Sequence, residues 1–243
     1  MSSVEQDEYR SGAYFIDATR HSADATFKAE QFVSLLGRQA ACSEIRTIAD
    51  VGCGSGAATI AVLTALRDSG VLVSEVVGYD VSPHVALLHH EQVRFVHEDF
   101  TTSTRRFDLV TLFDVVEHVP DPVGFLRRVS SRARFVGLHI PLDDSLNCNA
   151  RNLYRANVKD PGHLIALDTA SALNLLAFAG LRILDYEYVL GFKAASERVS
   201  LRARIAYPVR AVLAAISPWL LAKTLGGVSL MAFCRSTDHT SHY

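Results

Sequence analysis

The chain has 243 residues, 49% of them hydrophobic, and a formal charge of −2 at pH 7. That length and apolar content support one substantial core and exclude a largely disordered chain. The near-neutral charge argues against a nucleic-acid partner, which ordinarily needs a concentrated basic surface, and favours a small-molecule one.

Nothing apolar leads the polar N-terminus, and Cys42, Cys53, Cys148 and Cys234 lack the close pairing of metal ligands, so a reduced, cytoplasmic protein is expected. The first element is a helix over 24–40, within an N-terminal helical cover spanning 1–44. An apolar strand over 46–51 then runs into Gly52, Gly54 and Gly56 and an alanine-rich helix over 56–69. Such a glycine turn brings backbone amides close to a nucleotide-like cofactor, because no side chain obstructs the approach. Asp50 precedes the glycines and is placed to order their amides. A dinucleotide site would want an acidic residue roughly 20 positions on, and a phosphate loop would want a lysine after the glycines. Neither is present at its spacing.

The next strand, 72–79, ends at Asp80, where a carboxylate can accept paired ribose hydroxyls; the competing role is capping, shared with Ser82, of a helix over 82–89. Beyond a strand over 93–97, Asp99 and Phe100 pair a carboxylate for an exocyclic amine with a ring to cover a base, against the plainer alternative of a loop carboxylate beside a core ring. Strand 107–113 leads to Asp114 and to Glu117-His118, helix 121–131 follows, and strand 133–140 carries His139 near its end. Residues 141–164 form a polar, substrate-facing insertion in which Arg151 and Arg155, four apart, would share a helical face and Tyr154 and His163 offer further contacts. Helix 168–179, strand 182–190, a helical insertion over 191–227 and a last strand over 228–235 complete the chain, the last strand returning antiparallel after Gly226-Gly227.

The alternation is that of an α/β protein with a mainly parallel sheet of seven strands covered on both faces, forming a single domain over 1–243. Its ligand crevice would lie beyond the C-terminal strand ends, where Asp50, Asp80, Asp99 and Asp114 gather. Within 191–227, Val209, Val212, Leu213, Ile216 and Leu220 recur at helical spacing among Arg198, Arg202, Arg204, Arg210 and Lys223. The stripe fits a cover over the sheet or a homodimer face, or else peripheral contact with a lipid-linked substrate.

The ordered series Ile48-Ala-Asp-Val-Gly-Cys-Gly-Ser-Gly56, Val77-Gly-Tyr-Asp80, Glu98-Asp-Phe100, Phe107-Asp-Leu-Val110 and Asp114-Val-Val-Glu-His118 resembles the class I S-adenosylmethionine-dependent methyltransferases. The resemblance covers about residues 45–140 and implies a Rossmann-like sheet with an antiparallel last strand. His139-Ile-Pro-Leu-Asp143, Pro161-Gly-His-Leu164 and the Gly226-Gly-Val-Ser-Leu230 ending resemble a bacterial subgroup of small-molecule methyltransferases, including enzymes encoded beside glycan or lipid biosynthesis functions. By that resemblance Gly52, Gly54 and Gly56 approach the methionine portion of S-adenosylmethionine, Asp80 and Val81 the ribose, and Asp99 with Phe100 the adenine. Phe113 and Asp114 border the sulfonium, Lys28 meets the cofactor carboxylate, and Tyr9 and Tyr14 form a lid. S-adenosylhomocysteine would be the product.

His118 is the candidate general base, its imidazole titrating near neutral pH, against the alternative that Glu117 and His118 only orient their loop. His139 and His163 are further candidates for acceptor contact. Asp114, Glu117 and His118 could in principle ligate a metal, but without a diagnostic cluster none is expected. The expected reaction is methylation of a hydroxyl on a sugar, glycan intermediate or natural product; methylation of nitrogen and a nonenzymatic cofactor-binding module are the alternatives.

Overall fold

Strand β1 (Thr47–Val51) is buried along its last four residues, as an apolar run without alternation requires of a strand covered on both faces. A computed structural model describes residues 24–194 and 201–237, and in it β1 is an interior strand of a seven-stranded sheet. The other strands are β2 (Glu75–Asp80), β3 (Arg94–His97), β4 (Phe107–Phe113), β5 (Ala133–Pro141), β6 (Leu181–Val189) and β7 (Ser229–Ser236). Their order is β3-β2-β1-β4-β5-β7-β6, with β7 antiparallel to both neighbours and the remaining pairings parallel. The expected Rossmann-like sheet with its antiparallel last strand is therefore present.

Helices α1 (Ala25–Gly37) and α2 (Ala57–Asp68) cover one face, where Phe32, Leu36, Leu63 and Leu66 pack on Ile48, Leu109 and Phe135. The opposite face is covered by α3 (Pro122–Ser130) and, later in the chain, by α6 (Thr169–Phe178) and α8 (Pro218–Thr224), through Leu126, Leu176 and Leu221. The insertion after β5 holds α4 (Leu146–Ala150) and α5 (Tyr154–Lys159); α7 (Leu201–Ile216) lies in the insertion before β7. The expected helix over 82–89 is shorter than its sequence suggests, a 3-10 turn at Pro83–Leu87. Val85 is the one residue of that turn that is buried, so the segment has no apolar face wide enough to hold a full α-helix.

The strand order reverses between β1 and β4, and ligands of such sheets bind at that switch point. Register does the rest: Asp50 lies beside Gly78 and Thr111, and Phe113 beside His139, so the acidic strand ends meet along one edge.

The tightest contact between α1 and the sheet is at Gly137, where an added Cβ would lie 2.4 Å from the Phe32 ring. Gly137→Val should therefore lower unfolding stability by about 1–3 kcal/mol, the usual range for overpacking. Urea denaturation checks this, and an unchanged midpoint would contradict the packing.

Candidate functional site

The glycine turn has the backbone that the sequence implies. Gly52, Gly54 and Gly56 have φ of 75°, 54° and 76°, a region that L side chains rarely adopt, and Gly56 is also the N-cap of α2. Asp50 needs correction, since it is only 3% exposed and its two carboxylate oxygens accept from Thr59 Oγ1 at 2.5 Å and Thr111 Oγ1 at 2.6 Å. It fastens β1 to α2 and β4 and has no oxygen left for a ligand. Nor does it order the loop amides, because those of Gly52 and Cys53 donate to the Tyr79 carbonyl.

Asp80 joins two loops rather than capping a helix. Its Oδ2 accepts from the Gly54 amide and its Oδ1 from the Ser82 amide, both at 2.8 Å. Burial pushes its carboxyl above the ordinary range, against the amides that favour the anion. Val81 beside it is exposed. Asp99 is exposed and caps the turn that follows through the Thr101 amide, whereas the Phe100 ring is 1% exposed and packs edge-on against Tyr79 at 5.0 Å. That ring belongs to the core and is not free to cover a base. Phe113 is likewise buried, edge-on to Phe32 at 5.4 Å, and borders the crevice through its chain neighbour Asp114.

Asp114 has φ of 56°, unusual for a residue with a side chain. Its Oδ2 accepts from Lys28 Nζ at 2.5 Å and its Oδ1 lies 2.6 Å from His139 Nδ1. Burial would raise its carboxyl, but His139 and Lys28 outweigh this and hold it well below the ordinary range. Lys28 is also paired with Asp24 at 2.9 Å, so its ammonium is engaged by carboxylates of the chain rather than presented to a cofactor carboxylate. These groups open on a cavity of about 580 Å³, which Asp143, Arg151 and Arg210 also line. Another cavity, of about 620 Å³, lies at the N-terminal ends of β4 and β5, away from this crevice.

Beside the first cavity, His118 Nδ1 lies 3.0 Å from the Gly162 carbonyl, and its ring meets that of His163 edge-on at 5.0 Å. His163 Nδ1 lies 2.5 Å from Asp143 Oδ2, and its Nε2 is 3.8 Å from Glu117 Oε1. Glu117 is 1% exposed with neither carboxylate oxygen hydrogen-bonded. Its carboxyl is pushed well above the ordinary range, first by burial and then by Asp114.

Arg151 and Arg155 do not share a helix: Arg151 ends α4, and Asn152, at φ 51°, breaks the chain before α5. Arg155 is exposed outside the cavity lining, and the Tyr154 hydroxyl donates to Asp144 at 2.7 Å. Tyr9 and Tyr14 lie outside the described residues. Sequence reasoning passed over Asp24, for which the i,i+4 spacing to Lys28 was a usable signal.

A family profile described as "Methyltransferase domain" matches residues 24–185. The ubiquinone biosynthesis O-methyltransferase of Cereibacter sphaeroides (strain ATCC 17025 / ATH 2.4.3) is 32% identical over 119 residues, 45% of this chain and 44% of that protein, so the chain matches less than half of that relative's length. Among solved structures, a chain of the complex between the Haloferax volcanii Trm112 methyltransferase activator and a protein described as a methyltransferase superposes with a TM-score of 0.60. It has 17% identity, with 93% of this chain and 94% of that one covered. Magnesium protoporphyrin IX methyltransferase from Synechocystis PCC 6803, solved with bound SAH, gives 0.53 at 15% identity, covering 97% and 95%. At these identities the structural likeness is one of fold.

The Asp114 pairing makes a pH prediction. A carboxylate held low in the folded state contributes stability above its unfolded pKa, about 3.9, and that contribution is lost as the pH falls below it. Asp114→Asn should thus be less stable than wild type at pH 6, with the gap narrowing towards pH 3. Denaturation midpoints across that range check it, and a constant gap would contradict the pairing.

Proposed function

We propose that this chain, which belongs to the methyltransferase domain family, transfers a methyl group from S-adenosylmethionine to a hydroxyl of a small metabolite, leaving S-adenosylhomocysteine. The observation that carries this reading is the glycine loop with three positive-φ residues, clipped by Asp80 at the switch point and placed next to the cavity at Asp114 and His139. The residues present suit the cofactor. The loop closes the end of β1, Asp80 fixes it against the start of the next turn, and Val81 and Asp99 are exposed at the ends of β2 and β3 where a nucleoside would lie.

S-adenosylmethionine supplies an activated methyl carbon, so the chain's own tasks are to align the acceptor, exclude water and take up a proton. Alignment falls to the cavity walls, where the Asp114 carboxylate is fixed by Lys28 and His139. The proton of the hydroxyl leaves toward the imidazoles beside that cavity. His118 is the first candidate to receive it, an imidazole oriented by the Gly162 carbonyl 3.0 Å from its Nδ1 and of a kind that titrates near neutral pH. A sugar, glycan intermediate or natural product is the acceptor class, suited to Arg151, Asp143 and Asn147 on the cavity wall. The ubiquinone biosynthesis relatives, named as O-methyltransferases, support oxygen as the methylated atom. Contact with a lipid-linked acceptor would use the exposed Ile205, Val209, Val212, Ile216 and Trp219; no co-sedimentation with anionic vesicles at low salt would remove that version.

Calorimetry should show saturable binding of S-adenosylmethionine and S-adenosylhomocysteine and none of NAD; selective NAD binding would overturn the assignment. Asp80→Ala should weaken S-adenosylmethionine at least about tenfold, the equivalent of about 1.4 kcal/mol, and unchanged affinity would end its proposed role. His118→Ala should slow oxygen methylation by about 100-fold or more with cofactor affinity retained. A loss under about twofold with chemistry rate-limiting would remove His118 from the proton step.

A further inference from the structure

Among the described residues, Glu117 is the buried carboxylate that receives no hydrogen bond. Asp50 has two hydroxyls, Asp80 two amides, and Asp114 a lysine and a histidine. Glu117, at 1% exposure, has both carboxylate oxygens buried without a hydrogen bond. An ionised carboxylate taken out of water without compensation costs several kcal/mol, so a group kept there is neutralised either by a proton or by a cation placed against it.

Its surroundings indicate which. One ligand atom from each of Glu117, His118 and His163 lies within 4.8 Å of the other two. Both histidines are oriented through Nδ1, His118 by the Gly162 carbonyl and His163 by the Asp143 carboxylate. An acceptor at Nδ1 fixes the proton there and turns the Nε2 lone pair outward, which is how metal-ligating histidines are held by their supporting groups. Around the Glu117 carboxylate, then, two imidazoles able to ligate a cation converge. We propose that Glu117, His118 and His163 bind a divalent transition-metal cation, with Asp143 and the Gly162 carbonyl as the supporting groups that orient the two imidazoles.

Two imidazole nitrogens and one carboxylate suit Zn²⁺, Co²⁺ or Fe²⁺ better than Mg²⁺ or Ca²⁺, which favour oxygen ligands throughout. Cation–ligand bonds of about 2.0–2.2 Å require the donors to close by roughly 1 Å, a side-chain adjustment. Three protein ligands leave at least one coordination position for a water or a substrate oxygen. Asp143 ties this position to the acceptor cavity, since the carboxylate that holds His163 also lines that cavity. The inference therefore deepens the proposed hydroxyl methylation and, for its catalytic meaning, rests on it. A hydroxyl bound to the cation would become a stronger acid and could give up its proton to solvent water, with His118 acting as a ligand in place of the base role proposed above. The expectation of a metal-free protein came from Asp114, Glu117 and His118 alone; His163, 45 residues beyond His118, is what the fold adds.

Cobalt is the probe, because coordinated Co²⁺ absorbs in the visible. Protein stripped with chelator and titrated with Co²⁺ should bind one equivalent with a visible absorption band that Zn²⁺ displaces. Glu117→Gln and His163→Gln should abolish that equivalent, and Asp143→Asn should weaken it by about 10–100-fold. The Glu117→Gln amide keeps the shape and removes the unpaired charge, so the stripped variant should melt no lower than stripped wild type, which separates ligand loss from unfolding; His163→Gln stands in if it does not fold. No stoichiometric Co²⁺ binding by wild type, or equal binding by both glutamine variants, would overturn the proposal. The titration contains neither S-adenosylmethionine nor acceptor, so its failure leaves the methyl-transfer reading standing, and failure of methyl transfer leaves the cation site standing.

Discussion

A carboxylate buried at the switch point of the sheet sets the geometry of everything above it. Asp50 could not be accommodated by an apolar strand unless its oxygens were satisfied, and Thr59 on α2 and Thr111 on β4 satisfy them from two directions. The cost of breaking either bond is what holds α2, β1 and β4 together where the glycine turn begins. With that base fixed, the Gly52 and Cys53 amides reach the Tyr79 carbonyl, the Gly54 amide reaches Asp80, and the loop has one conformation. Positive φ at the three glycines lets the chain accept that conformation without strain. The cofactor edge is thus built before any ligand arrives, which is the preorganisation that positioning chemistry needs.

The acidic groups along this edge divide by how the fold satisfies them. Hydroxyls hold Asp50 and amides hold Asp80, both neutral donors that leave net negative charge in place. Cationic or imidazole partners hold Asp114, drawn from α1 on one side and β5 on the other. Because Lys28 is 86 residues from Asp114 in the chain, that pair also docks the first helix onto the crevice. Glu117 receives nothing, and burial together with the nearby Asp114 and Asp143 pushes its carboxyl well up.

The sheet was legible from the sequence because its information is local. Apolar runs at 46–51, 107–113 and 133–140 coincide with β1, β4 and β5 to within a residue at each end, and the Gly226-Gly227 turn marks the antiparallel return. Side-chain direction was less accessible. Phe100 follows a strand end as a base-covering ring would, yet its ring turns into Tyr79 and the core; nothing in a six-residue window distinguishes the two directions. Arg151 and Arg155 failed for a similar reason, since their helical spacing holds only if Asn152 stays helical. The contacts that make the acceptor side, Lys28 with Asp114 and His163 with Asp143 and Glu117, span 20 to 86 residues and depend on how whole helices dock.

Substrate choice should reside in the elements with the least regular structure, and the way α7 is attached explains how they can vary without disturbing the crevice. The helix packs through Tyr207, edge-on to Phe192 at 5.5 Å, and through Leu213, partly buried against the core. Arg210 turns inward to donate to the Gly226 carbonyl, and Lys223 on α8 pairs with Asp168 at the start of α6, so two of the basic residues that flanked the apolar stripe serve as internal fasteners. Arg198 lies outside the described residues. Exposed on the outside are Ile205, Val209, Val212, Ile216 and Trp219, with Arg204 beside them, on a helix of 16 residues followed by one of seven. No helix among the described residues is long and apolar enough to cross a membrane. Arg210 and Ala206 meanwhile line the cavity at Asp114 and His139 from the other side of the same helix. One helix therefore forms a wall of the cavity on its inner face and an apolar surface on its outer face, and its inner fastening is to the backbone turn that starts β7. Backbone carbonyls persist through changes of side chain, so the outer stripe and the cavity wall are free to change in composition while the strand that carries them keeps its register.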